Sequence, residues 1–338
     1  MPQDNRRMIV IGASAGGVEA LRTLVHRLPA DLAAPIAVVL HVGTQSILPE
    51  LLAAAGPLPA CHPKDGETLR PGTLYVAPPG KHLLVHDHHL MLRRGARENL
   101  ARPAIDPLFR SAACSFGGGT IGVVLTGALN DGTAGLVAIK RCGGIAIVQD
   151  PAEADFPEMP LSALRHVVVD ACLTIAEIAD ELVLRAAEPP RPTPPIPMDV
   201  RLEAAIAAQE HATMSSEAKL GTPAPFTCPD CQGPLWEIAD AAMLRYRCHV
   251  GHAYTADTML EAQAEEAEAI LWKLLRARQQ RAELARRMAE REDEEPALAA
   301  RFRARAQEYD EDAELVRRML MGRTGHFDEA GLAETGEG

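Results

Sequence analysis

A strand, a tight turn and a helix are predicted from MIVIGASAGGVEALRTLVHRL, residues 8–28. The apolar run Met8–Ile11 is typical of a buried strand. The glycine-rich stretch Gly12–Gly17 is typical of a turn, and the apolar positions of Val18–Leu28 recur at helical spacing. A buried strand that returns through a helix is the repeating unit of a wound α/β domain.

The same alternation continues to about residue 186. Short apolar runs are separated by Ala-rich amphipathic stretches, which indicates buried, mostly parallel strands with helices between them. A hairpin that turns at His86–His89 is expected after the third run. The fold class predicted for residues 1–186 is therefore α/β, with a wound, mostly parallel sheet. The predicted strands of that sheet are Met8–Ile11, Ile36–Leu40, Thr73–Ala77, Ile121–Leu125, Ile145–Val148 and Val167–Val169.

A proline-rich segment, AEPPRPTPPIP at residues 187–197, marks the end of this domain. Its prolines disfavour a helix or a central strand and predict a semi-rigid linker. Beyond it the composition becomes charged and rich in Ala, Leu, Arg and Glu, which favours helices. The predicted parts are a linker with a short helix (187–225, helix Met198–Gln209), a small zinc-ribbon-like module (226–255), an α-helical hairpin (256–322, interrupted at Glu292–Pro296) and a disordered tail (323–338).

Composition excludes several classes of protein. The chain has 34 Lys and Arg against 46 Asp and Glu, a net charge of −12, which argues against broad electrostatic binding to nucleic acid or an anionic membrane. No apolar run approaches the roughly 18 residues of a membrane span, and the early glycines argue against a signal peptide. The seven unevenly spaced cysteines indicate a reducing compartment. We expect a cytoplasmic protein that is not an integral membrane protein and does not bind nucleic acid.

Three polar residues directly follow three of the predicted strands. Ser14 lies in the turn after the first strand, His41 follows the second, and Asp131 lies in the turn after Ile121–Leu125. The carboxyl ends of parallel strands share one edge of a sheet, where ligand crevices form. Singly, Ser14 and Asp131 are typical of helix N-caps and His41 of a loop histidine. Together they supply the nucleophile, general base and orienting carboxylate of a serine hydrolase.

A nucleotide-binding domain is a weaker interpretation of the same glycine-rich turn. Such a turn can hold a phosphate at a helix N-terminus. A dinucleotide site also needs an acidic residue at the end of the second strand to bind the ribose, and His41 occupies that position. We therefore expect no cofactor for catalysis.

Six motifs in the first half of the chain resemble, in the same order, the catalytic domain of the chemotaxis protein-glutamate methylesterase family, CheB. They are GASAGGVEAL, VVLH, LYVAPPGKH, RPAIDPLF, LTGALNDGTAG and VQDPAEADFPEMP, within about residues 7–186. The resemblance implies that Ser14 is the nucleophile, His41 the general base and Asp131 its orienting partner. It also implies hydrolysis of γ-glutamyl methyl esters on a methylated chemoreceptor or similar signalling protein, often with deamidation of receptor glutamines.

Three features depart from the family pattern. Ala15 follows the nucleophile, where the family commonly has Thr, and Ala128-Leu129 replaces a common Met in the turn before the aspartate. The best-known members carry an N-terminal receiver domain, which is not expected here because the first predicted strand begins at Met8. An alternative function therefore stays open: a catalytically weak signalling scaffold that docks partners through the zinc module and the helical hairpin.

Two arginines near these motifs, Arg102 and Arg110, would suit contact with an acidic receptor surface, but the favoured interpretation is that they are exposed and only solvate a helix. Exposed arginines rarely need a functional explanation, because charged residues make up much of any protein surface. We therefore leave both residues out of the predicted catalytic set.

The later cysteines have metal-ligand spacing. Cys228 and Cys231 form a C-x-x-C pair, and Cys248 and His252 form a C-x-x-x-H pair after a short β-rich span. Four such ligands suit a tetrahedral structural Zn²⁺ ion. A disulfide is disfavoured in the cytosol, and unligated thiols do not explain two tight pairs. We predict zinc at these four residues, with His249 as the competing fourth ligand.

Overall fold

Strands and helices alternate through the first half of the chain, as the hydrophobic pattern predicts. The computed structural model describes residues 7–41, 43, 45–209, 221–238, 243–292 and 295–323. The elements up to the proline-rich linker are β1 (Met8–Ala13), α1 (Gly17–His26), β2 (Ile36–Leu40), α2 (Leu48–Ala55), β3 (Ala60–Cys61), β4 (Leu74–Val76), β5 (His82–His86), β6 (His89–Arg93), α3 (Ile105–Phe116), β7 (Thr120–Val124), α4 (Thr133–Arg141), β8 (Ile145–Gln149), α5 (Glu158–His166), β9 (Ala171–Leu173) and α6 (Ile175–Ala187).

Seven of these strands form one parallel sheet in the order β3-β4-β2-β1-β7-β8-β9. β1 lies inside it and pairs with β2 on one side and β7 on the other. Side chains of β1 alternate between two hydrophobic clusters, with Ile9 and Ile11 in one and Met8 and Val10 in the other. A parallel sheet covered on both faces requires such continuous apolar strands. The predicted α/β fold class is confirmed.

Two local predictions for this domain have different outcomes. The hairpin is confirmed, because β5 and β6 pair antiparallel around His86–His89. The strand at Val167–Val169 is wrong, and the edge strand is β9 instead. The N–H of Val167 still bonds to the Ala163 carbonyl at the end of α5, and Val168 is 86% exposed. Val167 therefore caps the C-terminus of α5, and pairing with β8 begins only at Ala171.

The chain beyond the linker forms a second, antiparallel sheet. Its strands lie in the order β10-β11-β12-β13 and belong to the same compact unit as the parallel sheet, Met1–Leu260. The predicted helix after the linker is confirmed and packs on α3. β10 begins at Gly221, ahead of the expected start of the module at Phe226. These elements are α7 (Met198–Ala207), β10 (Gly221–Thr227), β11 (Pro234–Ile238), β12 (Arg245–Cys248) and β13 (Ala253–Thr255).

Two long helices, α8 (Ala256–Arg291) and α9 (Pro296–Arg323), end the described part of the chain. They confirm the predicted helical hairpin, and the second compact unit begins within α8, at Glu261. Its apolar cluster is formed by Leu275, Ala313, Val316 and Leu320. No helix among the described residues is long and apolar enough to cross a membrane. The predicted tail, 323–338, lies outside the described residues apart from Arg323.

A cluster of buried charges links α3, α7 and β12. Its carboxylates are those of Glu98 and Glu203, and its guanidinium groups are those of Arg110, Arg245 and Arg247. Nη2 of Arg247 lies 3.1 Å from Glu98 and 3.0 Å from Glu203. The expectation that Arg110 solvates a helix is wrong, since its side chain is 1% exposed. Buried charges need partners of opposite charge. The cluster therefore constrains the packing of β12, in the second sheet, against α3 and α7.

We expect Glu203→Gln to lower the free energy of unfolding by about 3–5 kcal/mol, because it leaves buried arginines without one of their two carboxylates. Burial alone would raise the pKa of Glu203, but the three arginines outweigh it and the pKa is lowered below its usual 4.5. The stabilisation from this carboxylate is therefore present at neutral pH and is lost as the pH falls below 4.5 toward the folded-state pKa.

Urea unfolding of wild type and variant at pH 7, repeated at lower pH, measures both effects. The difference between the two proteins should shrink on acidification. Glu19→Gln is the matched control, because Glu19 pairs with Arg22 on the exposed surface and such pairs contribute little. Equal unfolding free energies for wild type and Glu203→Gln at pH 7 would contradict the assigned role of the cluster.

Candidate active site

Ser14 lies in the turn between β1 and α1. Gly16 caps the helix with a φ of +74°, a left-handed conformation that glycine adopts without strain. The N–H of Ser14 donates to the Thr126 carbonyl at 3.0 Å, which links this turn to the chain just after β7. A Cβ atom on Gly127 would lie 2.8 Å from Ser14 Cβ and 2.1 Å from Met159 Sδ, so only glycine permits this approach. The backbone thus holds Ser14 at the carboxyl edge of the sheet.

His41 and Asp131 form a hydrogen-bonded chain with Ser14. Oγ of Ser14 lies 3.1 Å from Nδ1 of His41, and Nε2 of His41 lies 2.8 Å from Oδ2 of Asp131. A neutral imidazole that donates its Nε2 proton to the carboxylate leaves Nδ1 available to accept the serine proton. The three predicted residues are brought together because the parallel register places the ends of β1, β2 and β7 side by side.

The Asp131 carboxylate is buried and surrounded by donors. Besides the His41 ring, Oδ2 accepts the N–H of Ile105 at 2.7 Å. Oδ1 accepts the N–H of Gly132 and the Nδ2 group of Asn99, both at 2.9 Å. Burial alone would raise the pKa of this carboxyl, but His41 and these donors outweigh burial and lower the pKa. The arrangement favours a carboxylate that can stabilise a protonated imidazole.

A second buried carboxylate, Asp106, lies beside the first. The amide of Asn99 bridges the two, with Nδ2 2.8 Å from Oδ2 of Asp106 and 2.9 Å from Oδ1 of Asp131. Burial and the charge of Asp131 raise the pKa of Asp106 to about 7. Neither Asp106 nor Asn99 is predicted from the strand pattern, because neither follows a strand of the parallel sheet. The motif RPAIDPLF, which contains Asp106, is the one signal that marks this region.

An open cavity of about 520 Å³ is lined by Ser14 and its two partners. One wall comes from the loop between Arg97 and Pro103, and another contains Ala128 and Leu129. Leu129 has a φ of +61°, a strained conformation that tends to occur at functional sites. The departure from the family pattern at these two positions therefore falls on the cavity wall. Arg102, expected to solvate a helix, instead lines the cavity and donates to a backbone carbonyl at 2.6 Å.

The four predicted metal ligands converge in the second sheet. The sulfur atoms of Cys228, Cys231 and Cys248 and Nδ1 of His252 all lie within 4.8 Å of one another. Cys231 Sγ is 3.7 Å from Cys248 Sγ, and His252 Nδ1 is 3.4 Å from Cys248 Sγ and 3.6 Å from Cys228 Sγ. Tetrahedral zinc with ordinary bond lengths separates such ligands by roughly 3.6–3.8 Å. The donor set fits zinc, and the competing His249 is exposed and outside this cluster.

Polar contacts connect the candidate metal site to the cavity wall. Asp230, which lies between Cys228 and Cys231 in the sequence, accepts a hydrogen bond from Tyr254 Oη at 2.7 Å. The same Tyr254 oxygen lies 3.3 Å from Cys228 Sγ. Asp230 also pairs with Arg97, which lines the cavity. Hydrogen bonds of this kind hold ligating side chains in position.

About one zinc ion per chain is expected in protein purified without a metal-binding tag. Cys228→Ser should remove the zinc and unfold the second sheet, since a sheet of this size buries too little core to fold without the metal. Elemental analysis and thermal unfolding of the full chain measure both effects. Cys172→Ser, at an exposed cysteine in β9, is the matched control and should keep the zinc. Wild-type protein without zinc after growth in zinc-supplemented medium would refute the ligand assignment.

Comparison with known proteins gives one consistent result. A family model described as CheB methylesterase matches residues 9–182. A putative protein-glutamate methylesterase/protein-glutamine glutaminase of Leptospira interrogans is 40% identical over 188 residues, which are 54% of this chain and 95% of that protein. A protein-glutamate methylesterase/protein-glutamine glutaminase of Anaeromyxobacter dehalogenans is 40% identical over 53% of each chain. The crystal structure of the Thermotoga maritima CheB methylesterase catalytic domain is similar, with a TM-score of 0.52, 32% identity and coverage of 54% of this chain and 99% of that one.

Proposed function

The chain belongs to the CheB methylesterase family, and from this premise we propose that it is a serine hydrolase of γ-glutamyl methyl esters. Its substrate is a methylated chemoreceptor or a similar signalling protein. The observation that supports this proposal most strongly is the hydrogen-bonded chain from Ser14 through His41 to Asp131, which lines an open cavity. The names of the relatives add glutamine deamidation as a second reaction of the same site.

In the first half of the reaction, Oγ of Ser14 attacks the ester carbonyl carbon while its proton moves to Nδ1 of His41. Asp131 stabilises the imidazolium that forms. When the tetrahedral intermediate collapses, the bond to the methoxy oxygen breaks and His41 returns its proton to that oxygen. Methanol leaves, and the glutamyl group remains bound to Ser14 as an ester.

In the second half, water takes the place of the alcohol. His41 removes a proton from the water, the hydroxide attacks the acyl carbon, and Oγ of Ser14 leaves and regains a proton. The product is the free γ-carboxyl group of glutamate. A glutamine side chain follows the same course with ammonia as the first leaving group, so one site can carry out both reactions.

The negative charge on the intermediate needs hydrogen-bond donors. Ser14 lies just before α1, and backbone N–H groups at a helix N-terminus carry partial positive charge. Such groups stabilise an oxyanion without reorganising during the reaction. Ala15 and Ala128 have no polar side-chain atom, so at those positions only the backbone N–H groups are able to donate to the oxyanion.

Ser14→Ala is expected to reduce methanol release from a methylated receptor fragment to the background rate, because no other group replaces the nucleophile. Asp131→Asn should lower kcat by roughly 10⁴-fold, since an amide does not hold the imidazole in the required tautomer. Gas chromatography of released methanol measures both rates, and circular dichroism verifies that each variant is folded.

Ser115→Ala is the matched serine control, because Ser115 lies on α3 and bonds to the Val85 carbonyl rather than to the triad. It should hydrolyse the ester at the wild-type rate. Turnover by Ser14→Ala at the wild-type rate would contradict the assignment of Ser14 as the nucleophile. Binding of the receptor without any turnover by the wild-type chain would instead favour the signalling-scaffold alternative.

A further inference from the structure

We propose that the segment Ala253–Thr258 belongs to the catalytic apparatus, because it holds Asn99 and Asn130, which in turn position Asp131. This inference rests on the proposed hydrolase function and adds Asn99 and Asn130 to it as positioning residues. The segment follows the candidate metal site and lies in the same compact unit as the parallel sheet. Its contacts reach the active site from more than 100 residues away in the sequence.

Asn99 is held by this segment through both its backbone and its side chain. The N–H of Asn99 donates to the Ala253 carbonyl at 2.8 Å, and Oδ1 accepts a hydrogen bond from Thr258 Oγ1 at 3.4 Å. These contacts orient the amide so that its Nδ2 group reaches Asp131 and Asp106 at once. Asn99 has a φ of +48°, a left-handed conformation that needs support from its surroundings.

Asn130, the residue before Asp131, is held by the same segment. Oδ1 of Asn130 accepts a hydrogen bond from Thr255 Oγ1 at 2.8 Å, and Nδ2 donates to Asp257 at 2.7 Å. Both the oxygen and the nitrogen of the Asn130 amide therefore form hydrogen bonds with the segment Ala253–Thr258. Because Asn130 and Asp131 share a peptide bond, movement of this amide displaces the backbone from which the Asp131 side chain extends.

The two threonines that make these contacts are fixed in turn. The N–H of Thr255 donates to Thr258 Oγ1 at 2.8 Å, and the N–H of Thr258 donates to Thr255 Oγ1 at 3.2 Å. This reciprocal pattern at the start of α8 has the hydrogen bonds of a capping box, with Thr258 in place of the usual Glu or Gln. Both threonines are buried, and removal of a buried hydroxyl leaves its partner unsatisfied. The hydroxyl groups are therefore rigid supports rather than exposed polar groups.

Loss of a contact that positions Asp131 is expected to change the rate of catalysis, whereas loss of a merely structural contact is not. Proton transfer depends on the position of His41, and an error of about 1 Å in a catalytic group can cost roughly 100-fold in rate. Neither Thr255 nor Asn130 is among the described residues that line the cavity. Loss of the Thr255 contact should therefore lower kcat and leave KM nearly unchanged.

The test uses the full chain, with Thr255→Val and Thr255→Ser as the paired variants. Turnover is measured on a short peptide that carries a γ-glutamyl methyl ester. We expect Thr255→Val to lower kcat about tenfold, equivalent to about 1.4 kcal/mol, with KM within about twofold of wild type. Thr255→Ser keeps the hydroxyl and should restore kcat. Thr222→Val, on the exposed surface of β10, is the control and should match wild type.

Proton NMR supplies a readout that does not depend on turnover. The proton between Nε2 of His41 and Asp131 gives a downfield resonance, which is assigned by its loss in His41→Ala. In Thr255→Val this resonance should move upfield as the hydrogen bond lengthens, and in Thr255→Ser it should stay in place. If Thr255→Val does not fold, Asp257→Ala replaces it, because it removes the acceptor of Asn130 from an exposed position. It should lower kcat about threefold and shift the resonance in the same direction.

Wild-type kcat together with an unshifted resonance in the folded valine or Asp257→Ala variant would overturn the positioning role. A wild-type chain that releases no methanol would reject the proposed function instead. In that case the His41 resonance still decides whether Ala253–Thr258 positions Asp131.

Discussion

The buried carboxylate of Asp131 is the constraint around which the active edge of the sheet is arranged. A carboxylate removed from water needs donors for both oxygens. Asp131 receives them from His41, from the backbone at the start of α3 and from Asn99. These donors meet only if the end of β2, the N-terminus of α3 and the loop before it surround the end of β7. The same contacts leave Ser14 facing an open cavity, so one arrangement satisfies the buried charge and forms the proposed catalytic site.

The second sheet meets this edge at two adjacent residues of one loop. Glu98 enters the buried cluster of arginines, and Asn99 enters the bridge between the two aspartates. His252, a candidate metal ligand, directly precedes Ala253, whose carbonyl accepts the N–H of Asn99. The candidate metal site and the active site are thus joined by a few consecutive contacts. A cavity wall held in this way has less freedom than an isolated surface loop, which favours a fixed geometry.

Sequence patterns predict some of these residues well, for identifiable reasons. Ser14, His41 and Asp131 each follow an apolar run, and parallel topology brings the ends of such runs to one edge. The metal ligands are predicted by their spacing, because both tight pairs lie in one short module. The run Val167–Val169 shows the limit of such local patterns. Three consecutive valines suit a strand or the end of a helix equally well, and the choice depends on which neighbouring backbone groups are available.

The sequence by itself determined the α/β class, the order of the elements and the residue types that converge at the sheet edge. These features follow from hydrophobic period and side-chain chemistry, which are local. Only the tertiary structure decided that Arg110 is buried and that Asn99 and Asn130 are held by Thr258 and Thr255, residues 159 and 125 positions away. The physical reason is that a polar or charged side chain has the same local sequence pattern whether it faces water or a buried partner. Its environment is set only when a distant part of the chain covers it.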